Sequence, residues 1–339
     1  MTSPESPSGV ATEATPASGE SAPLRATWSE KLPEGPWCPD EWLGHLEVVA
    51  PGLRAPDGRH EPVEASGAPA TSAQWSLLVA SRRGRLHAHR GEHREDAGMV
   101  LTFAGGWCAA VADGAGSAKW SRLGSAIATH AATHALREAL KSGSASPVEL
   151  PAAMQHAGES ANRAMRRFAE LAGLALRELR TTLLIAAAYG AQIATLQVGD
   201  GAVALMQSTG TALLPHQGDS GEFSGEVTHF LPDDGAVERL GASLAVTDAA
   251  PICALLLASD GVEDPWYPLT RHAPALFAQI NDGVDDGNAV AAGVTQSLRG
   301  PVLHAADPVH ALMEWLAFEK RGENDDRTLF VAWVSSPSV

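Results

Sequence analysis

The feature that most constrains this chain is a series of short apolar runs, six to nine residues long, bounded by glycine or aspartate. They are WSLLVAS (75–81), MVLTFA (99–104), WCAAVAD (107–113), TLLIAAAY (182–189), IATLQVGD (193–200), AVALMQ (202–207), ICALLLASD (252–260) and TLFVAWV (328–334). Their length and β-branched content suit strands better than helices. Runs 99–104 and 107–113, split by Gly-Gly, and 182–189 and 193–199, split by Gly-Ala-Gln, pattern as antiparallel hairpins. Between them, 117–141 and 152–173 repeat apolar residues at i, i+3, i+4 and predict helices, as do 271–299 and 308–320. Strand hairpins, a helical block, more strands, a second helical block and a last strand make an α+β layered domain over residues 73–336. Strict β-α-β alternation is absent, which disfavours a doubly wound parallel sheet.

Ahead of these runs the texture differs, with half of the 22 prolines falling before residue 73. Residues 1–33 have almost no large apolar side chains and are expected to form a disordered tail. Residues 34–72 read as a linker in which Trp37, Trp42, Leu46 and Val48 can dock on the main domain, while EASGAPATS reads as turns. With 24 Lys+Arg against 40 Asp+Glu the net charge is −16, which argues against nucleic acid and against an anionic membrane surface as partner. No apolar run approaches the ~18–20 residues of a spanning helix, and MTSPESPSGVATEATPASGE lacks the basic and apolar regions of a secretory signal. The 3 cysteines, Cys38, Cys108 and Cys253, form no C-x-x-C pair, so a thiolate zinc site is not expected and a reducing cytoplasm is the expected location.

The chemistry lies where the apolar runs end. Asp113-Gly114, Asp200-Gly201 and Asp260-Gly261 each follow a run, and Asp325 and Asp326 stand just ahead of the last one. One Asp-Gly pair alone is often only a turn. Several together are a different matter, because hairpins can bring strand ends to a common sheet edge. Two unit charges 4 Å apart repel by about 4 kcal/mol at an effective dielectric of ~20. A carboxylate cluster therefore takes up protons or holds a cation, and hard oxygen ligands favour Mg²⁺ or Mn²⁺ over zinc.

Six ordered segments carry a resemblance. VADGAGSAKWSRLGS (111–125), TTLLIAAA (181–188), QVGDGAV (197–203), GEFSGEVTHFL (221–231), LLLASDGVED (255–264) and DDRTLFVAW (325–333) resemble the metal-dependent protein phosphatase 2C family, in its bacterial DGAGSAK-type branch. The resemblance spans about residues 75–335 and implies a four-layer α-β-β-α sandwich of two antiparallel β-sheets flanked by helices. It implies a binuclear Mg²⁺/Mn²⁺ centre in which Asp113 bridges both ions and the Gly114 carbonyl helps hold one. Asp260 and Asp325 would hold the other, while Glu95 joins the Gly114-bound ion directly or through water, with Asp96 in support. Two ions so placed activate a water for in-line attack on phosphoserine or phosphothreonine, without a covalent enzyme intermediate. The implied partner is a phosphorylated protein, with a cognate protein kinase or its target as the source.

The sequence also departs from the family. Ala115 stands where eukaryotic members carry a proton-donating His, and Gly91 stands where the phosphate-binding Arg belongs. Arg90, one residue away, is the expected substitute, in a loop that also holds Arg85, His87 and His89. Asp200 aligns with a turn that is mainly structural, and Glu178 is the one acidic residue near a third-metal position. His130, His134 and His156 read as packing or surface residues, Cys108 and Cys253 as core, and Trp120 as either a cleft border or a core cap. The leading expectation is a serine/threonine protein phosphatase. The alternative is a catalytically weak phosphatase-fold module that binds phosphoproteins.

Overall fold

The computed structural model describes residues 65–72, 75–141, 149–216, 229–283, 294–295 and 302–334. The expected tail, residues 1–33, and most of the expected linker lie outside these residues.

Among the described residues, eleven strands form two antiparallel sheets. The first has six strands in the order β1 (Ala65–Ser72), β2 (Trp75–Arg82), β13 (Arg327–Val334), β10 (Ile252–Ala258), β7 (Ala202–Gln207) and β8 (Ala212–Leu213). The second has five, in the order β3 (Ala97–Phe103), β4 (Gly106–Ala112), β5 (Leu183–Tyr189), β6 (Gln192–Val198) and β9 (Leu244–Asp248). Both expected hairpins are present, with Leu101 opposite Cys108 and Ala187 opposite Ala194.

The central strands read as unbroken apolar runs because both of their faces are buried. In β4, Trp107, Ala109 and Val111 face the other sheet, while Cys108, Ala110 and Ala112 face helices. The same alternation divides β10: Leu255 and Leu257 lie between the sheets, and Ala254, Leu256 and Ala258 face outward onto a second helical layer. Helices α2 (Ser121–Leu140) and α3 (Glu149–Ala172) cover the five-stranded sheet through Leu136, Met165 and Phe168. Helices α6 (Leu269–Asp282) and α7 (Pro308–Trp315) cover the six-stranded sheet through Leu276, Leu312 and Trp315. The result is the expected four-layer sandwich. Among the described residues, no helix is long and apolar enough to cross a membrane.

Several local expectations are corrected. Residues 65–72, taken as turns and linker, form β1, which pairs along its whole length with β2. An edge position tolerates the small residues and Pro69 that disguised it, since one side of an edge strand makes no ladder. The helix expected over 271–299 ends at Asp282, where Gly283 takes a left-handed cap at φ 68, and Val294–Thr295 is a short strand, β11. The helix expected over 308–320 stops at Trp315, and Glu319–Lys320 forms β12, paired with β11. The loop holding Arg85, His87 and His89 is a short helix, α1 (Arg85–Arg90). Two further short helices are α4 (Asp234–Arg239) and α5 (Asp260–Glu263).

Candidate metal centre

Strand register assembles the site. Ala97 pairs with Ala112, so Asp96 and Asp113, one residue beyond each, meet at the same edge of the five-stranded sheet. In the other sheet Ala258 pairs with Leu329, which brings the start of α5, with Asp260, beside Asp325 and Asp326. Glycine makes this approach possible: a Cβ on Gly261 would stand 1.9 Å from the Asp326 carbonyl oxygen. Likewise a Cβ on Gly114 would lie 2.8 Å from the Glu95 carbonyl oxygen. Two strand ends from each sheet thus converge on one cleft of about 960 Å³, whose lining includes Glu95, Asp113, Gly114, Asp260 and Asp325. Asp96 lies underneath, almost fully buried.

Hydrogen bonds fix each acid. The Asp113 carbonyl accepts from Thr182 N at 2.8 Å and from the Thr181 hydroxyl at 2.6 Å, while Asp113 N donates to Thr182 Oγ1 at 3.0 Å. Thr328 Oγ1 donates to Asp96 Oδ2 at 2.8 Å and lies 2.6 Å from the Ser81 hydroxyl. Asp260 Oδ1 accepts from Gly261 N, and Asp325 Oδ1 from Asp326 N at 2.8 Å. The sequence marks Asp326 only as the acidic neighbour of Asp325. In the structure Asp326 is buried and accepts from Gly84 N at 2.6 Å and Glu95 N at 2.5 Å, and His87 Nδ1 lies 3.0 Å from its Oδ1. Asp326 thereby ties α1 and the Glu95 segment to the start of β13. His87, buried in α1, also has Nε2 3.9 Å from Glu95 Oε2.

The electrostatics are those of crowded acids. Burial and then the charges of Asp260 and Asp96 hold the Asp113 carboxyl well above the usual range. Burial and then Asp326 do the same to Asp96. Burial also raises Asp260, and pushes Glu95 up to about 7 despite the opposing pull of His87. Burial alone would lower His87, but its contact with Asp326 and the charges of Glu95 and Asp325 outweigh this and lift it to about 9.

Do these residues fit a divalent cation? Glu95 Oε2 and Asp96 Oδ1 are buried with no hydrogen-bond donor among the described residues. The charges of Asp260 and Asp96 both press on the buried Asp113 carboxyl, and such crowding is relieved by a shared proton or a cation. His87, Asp325 and Asp326 also offer ligand atoms within 4.8 Å of one another. Hard oxygen donors with orphaned lone pairs fit Mg²⁺ or Mn²⁺.

Arg90 lines the outer cleft with its side chain half exposed, Nη1 3.9 Å from Glu92 Oε2. Asp200, set aside as a turn residue, lines the same cleft between Gly199 (φ 87) and Gly201 (φ 81), and burial followed by the Asp260 charge raises it to about 7. Glu178 is engaged locally, accepting from Ala175 N at 3.0 Å. Trp120 plays both of its expected parts, lining the cleft and closing the α2 core. His130 and His134 stack at 4.2 Å inside the α2 layer, and Cys108 is fully buried with its thiol pushed up to about 12 by burial.

The profile of the family described as Protein phosphatase 2C matches residues 83–299, well over half of the chain. None of the curated proteins matches. Among solved structures, a serine-threonine phosphatase 2C from Toxoplasma gondii superposes at a TM-score of 0.51 with 13% identity, over 80% of this chain and 99% of that one. The catalytic domain of the serine threonine protein phosphatase PstP, in complex with 2 manganese ions, gives 0.47 and 19%, over 77% and 99%. PppA, a regulatory component of T6SS in Pseudomonas aeruginosa, gives 0.47 and 20%, over 80% and 100%. With the profile spanning α1 through β11 and a sandwich whose strand ends gather acids in one cleft, the chain belongs to the protein phosphatase 2C family.

Proposed function

We propose that this protein is a serine/threonine protein phosphatase dependent on two Mg²⁺ or Mn²⁺ ions, acting on a phosphorylated protein such as a cognate kinase or its target. The observation that carries the reading is that Glu95, Asp113, Asp260 and Asp325, from four separate strand ends, line one cleft. Asp113, the Gly114 carbonyl and Glu95 would hold one ion, with Asp96 in support from beneath, and Asp113, Asp260 and Asp325 would hold the other. When bound, the ions supply an activated water and neutralise the phosphoryl charge.

The chain's own residues supply orientation. Thr181 and Thr182 fix the Asp113 backbone, Asp326 fixes the Glu95 backbone, and Thr328 orients Asp96. Arg90, at the outer cleft, is available to the phosphoryl group or to the flanking peptide. Ala115 offers no proton to the leaving seryl or threonyl oxygen, so that proton comes from water. The buried Cys108 takes no part.

The test is hydrolysis of p-nitrophenyl phosphate and of a phosphothreonine peptide with Mn²⁺ or Mg²⁺, with and without EDTA, for wild type and Asp113→Ala. Metal-dependent turnover that falls at least about a thousandfold in the variant is expected, the order of loss when a catalytic metal site is removed. Absence of turnover in folded protein that still binds Mn²⁺ would favour the phosphoprotein-binding alternative.

A further inference from the structure

The cleft contains a cation that the acid cluster does not use. Arg122 sits in the first turn of α2 and lines the cleft, yet it is only 8% exposed. Its Nε and Nη2 are buried without a hydrogen-bond partner among the described residues. Glu95 is close enough for its charge to act on the guanidinium, yet Glu95 Oε2 is itself without a hydrogen-bond partner among the described residues. A buried charge without a partner is costly, and proteins seldom keep one unless a ligand completes it. Burial lowers its pKa to about 9, so it still carries its charge at neutral pH.

Its placement is well defined. Ser125 Oγ, one turn further along α2, donates to the Glu95 carbonyl, and the Ser121 Cβ lies 2.8 Å from where a Gly114 Cβ would be. The start of α2 is therefore packed against both the Glu95 segment and the Asp113-Gly114 turn. Arg90, by contrast, is half exposed and already faces Glu92.

We propose that Arg122 is the residue that binds the non-bridging oxygens of the substrate's phosphoryl group, and that Arg90 serves the surrounding peptide. A guanidinium presents a planar fork of N–H donors matched to phosphate oxygens. The assignment rests on the phosphatase reading of the cleft, but its test does not require turnover.

Inorganic phosphate binding is measured by calorimetry in saturating Mn²⁺ for wild type, Arg122→Gln, Arg122→Lys and Arg90→Ala, together with Mn²⁺ binding by each. Losing a charge-assisted hydrogen bond corresponds to roughly 10–100-fold. We expect Arg122→Gln to weaken phosphate by that factor with Mn²⁺ affinity kept, Arg122→Lys to recover part of it, and Arg90→Ala to change phosphate affinity less than Arg122→Gln. If wild type hydrolyses nothing yet binds phosphate through Arg122, the phosphatase reading falls and the assignment stands. If phosphate binds wild type and Arg122→Gln alike, or does not bind wild type, the assignment falls whatever the activity. If both Arg122 variants lose Mn²⁺ binding and melt early, Arg122 is a structural residue and the assignment is likewise overturned.

Discussion

Two adjacent aspartates do opposite work. Asp325 lines the cleft, while Asp326 is buried and accepts two backbone N–H groups besides facing His87. Removing Asp325 relieves repulsion among acids without orphaning a distant donor. Removing Asp326 leaves buried N–H groups of Gly84 and Glu95 unsatisfied, at about 1–3 kcal/mol each. Asp325→Ala should therefore weaken Mn²⁺ binding while leaving the metal-free melting temperature level or higher, and Asp326→Ala should lower that temperature by many degrees. Calorimetry with and without Mn²⁺ checks both, and equal melting temperatures for the two variants would refute the division of labour. The sequence DDRT shows two acids but not which one points inward, since that depends on the register of β13 against β2 and β10.

The junction of α2 with the 3-10 turn at Leu176–Leu179 links packing to the site. Gly124 is the contact point, because a Cβ there would lie 1.9 Å from the Leu179 carbonyl oxygen. The same stretch accepts Trp120 N through Glu178 O and Ala115 N through Arg180 O, and it leads straight into the Thr181 and Thr182 contacts with Asp113. Pushing backbone from backbone typically costs about 1–3 kcal/mol or more. Gly124→Ala is expected to lower stability by that amount in urea unfolding and to weaken Mn²⁺ binding as well. A variant that loses stability but keeps wild-type Mn²⁺ affinity would show that helix and site are not coupled in this way.

Across the whole molecule, the burial of so many acids sets the pH response. Glu95, Asp200 and Glu263 are raised by burial to about 7 from 4.5, 3.8 and 4.5, so the folded chain keeps protons that the unfolded chain has already released. Between roughly pH 4 and 7 the unfolded state therefore binds fewer protons, and stability falls as pH rises. His87, raised from 6.5 to about 9, adds stability that is complete below pH 6.5 and lost as pH climbs through 9. Both effects have the same sign, and they outnumber the opposing one from His134 and His216, which burial lowers from 6.5 to about 4 so that their contribution to stability rises between about pH 4 and 6.5. The metal-free protein should melt progressively lower from pH 5 to pH 8, and Mn²⁺, if held by the deprotonated acids as proposed, should flatten or reverse that slope. Scanning calorimetry in EDTA and in Mn²⁺ at four pH values decides it; a metal-free melting temperature that rises over this range would contradict the crowded-acid picture.

Apolar runs with two buried faces are conspicuous, so the seven inner strands were legible from residue order alone, as were the half-buried edge strand β3, both hairpins and helices α2 and α3. The acids at the strand ends were legible too, because Asp-Gly after a buried run is a local pattern. What local pattern does not carry is burial and pairing across the chain. β1 is written in small residues and a proline, and only its ladder with β2 makes it a strand. Asp326, His87 and Arg122 look like solvated charge in the sequence, and each is buried in the structure by segments more than a hundred residues away or by the close packing of α2 on the Glu95 segment. Short-range periodicity determined which elements form, whereas sheet register, a long-range property, decided which charges are enclosed and therefore which can act on a ligand.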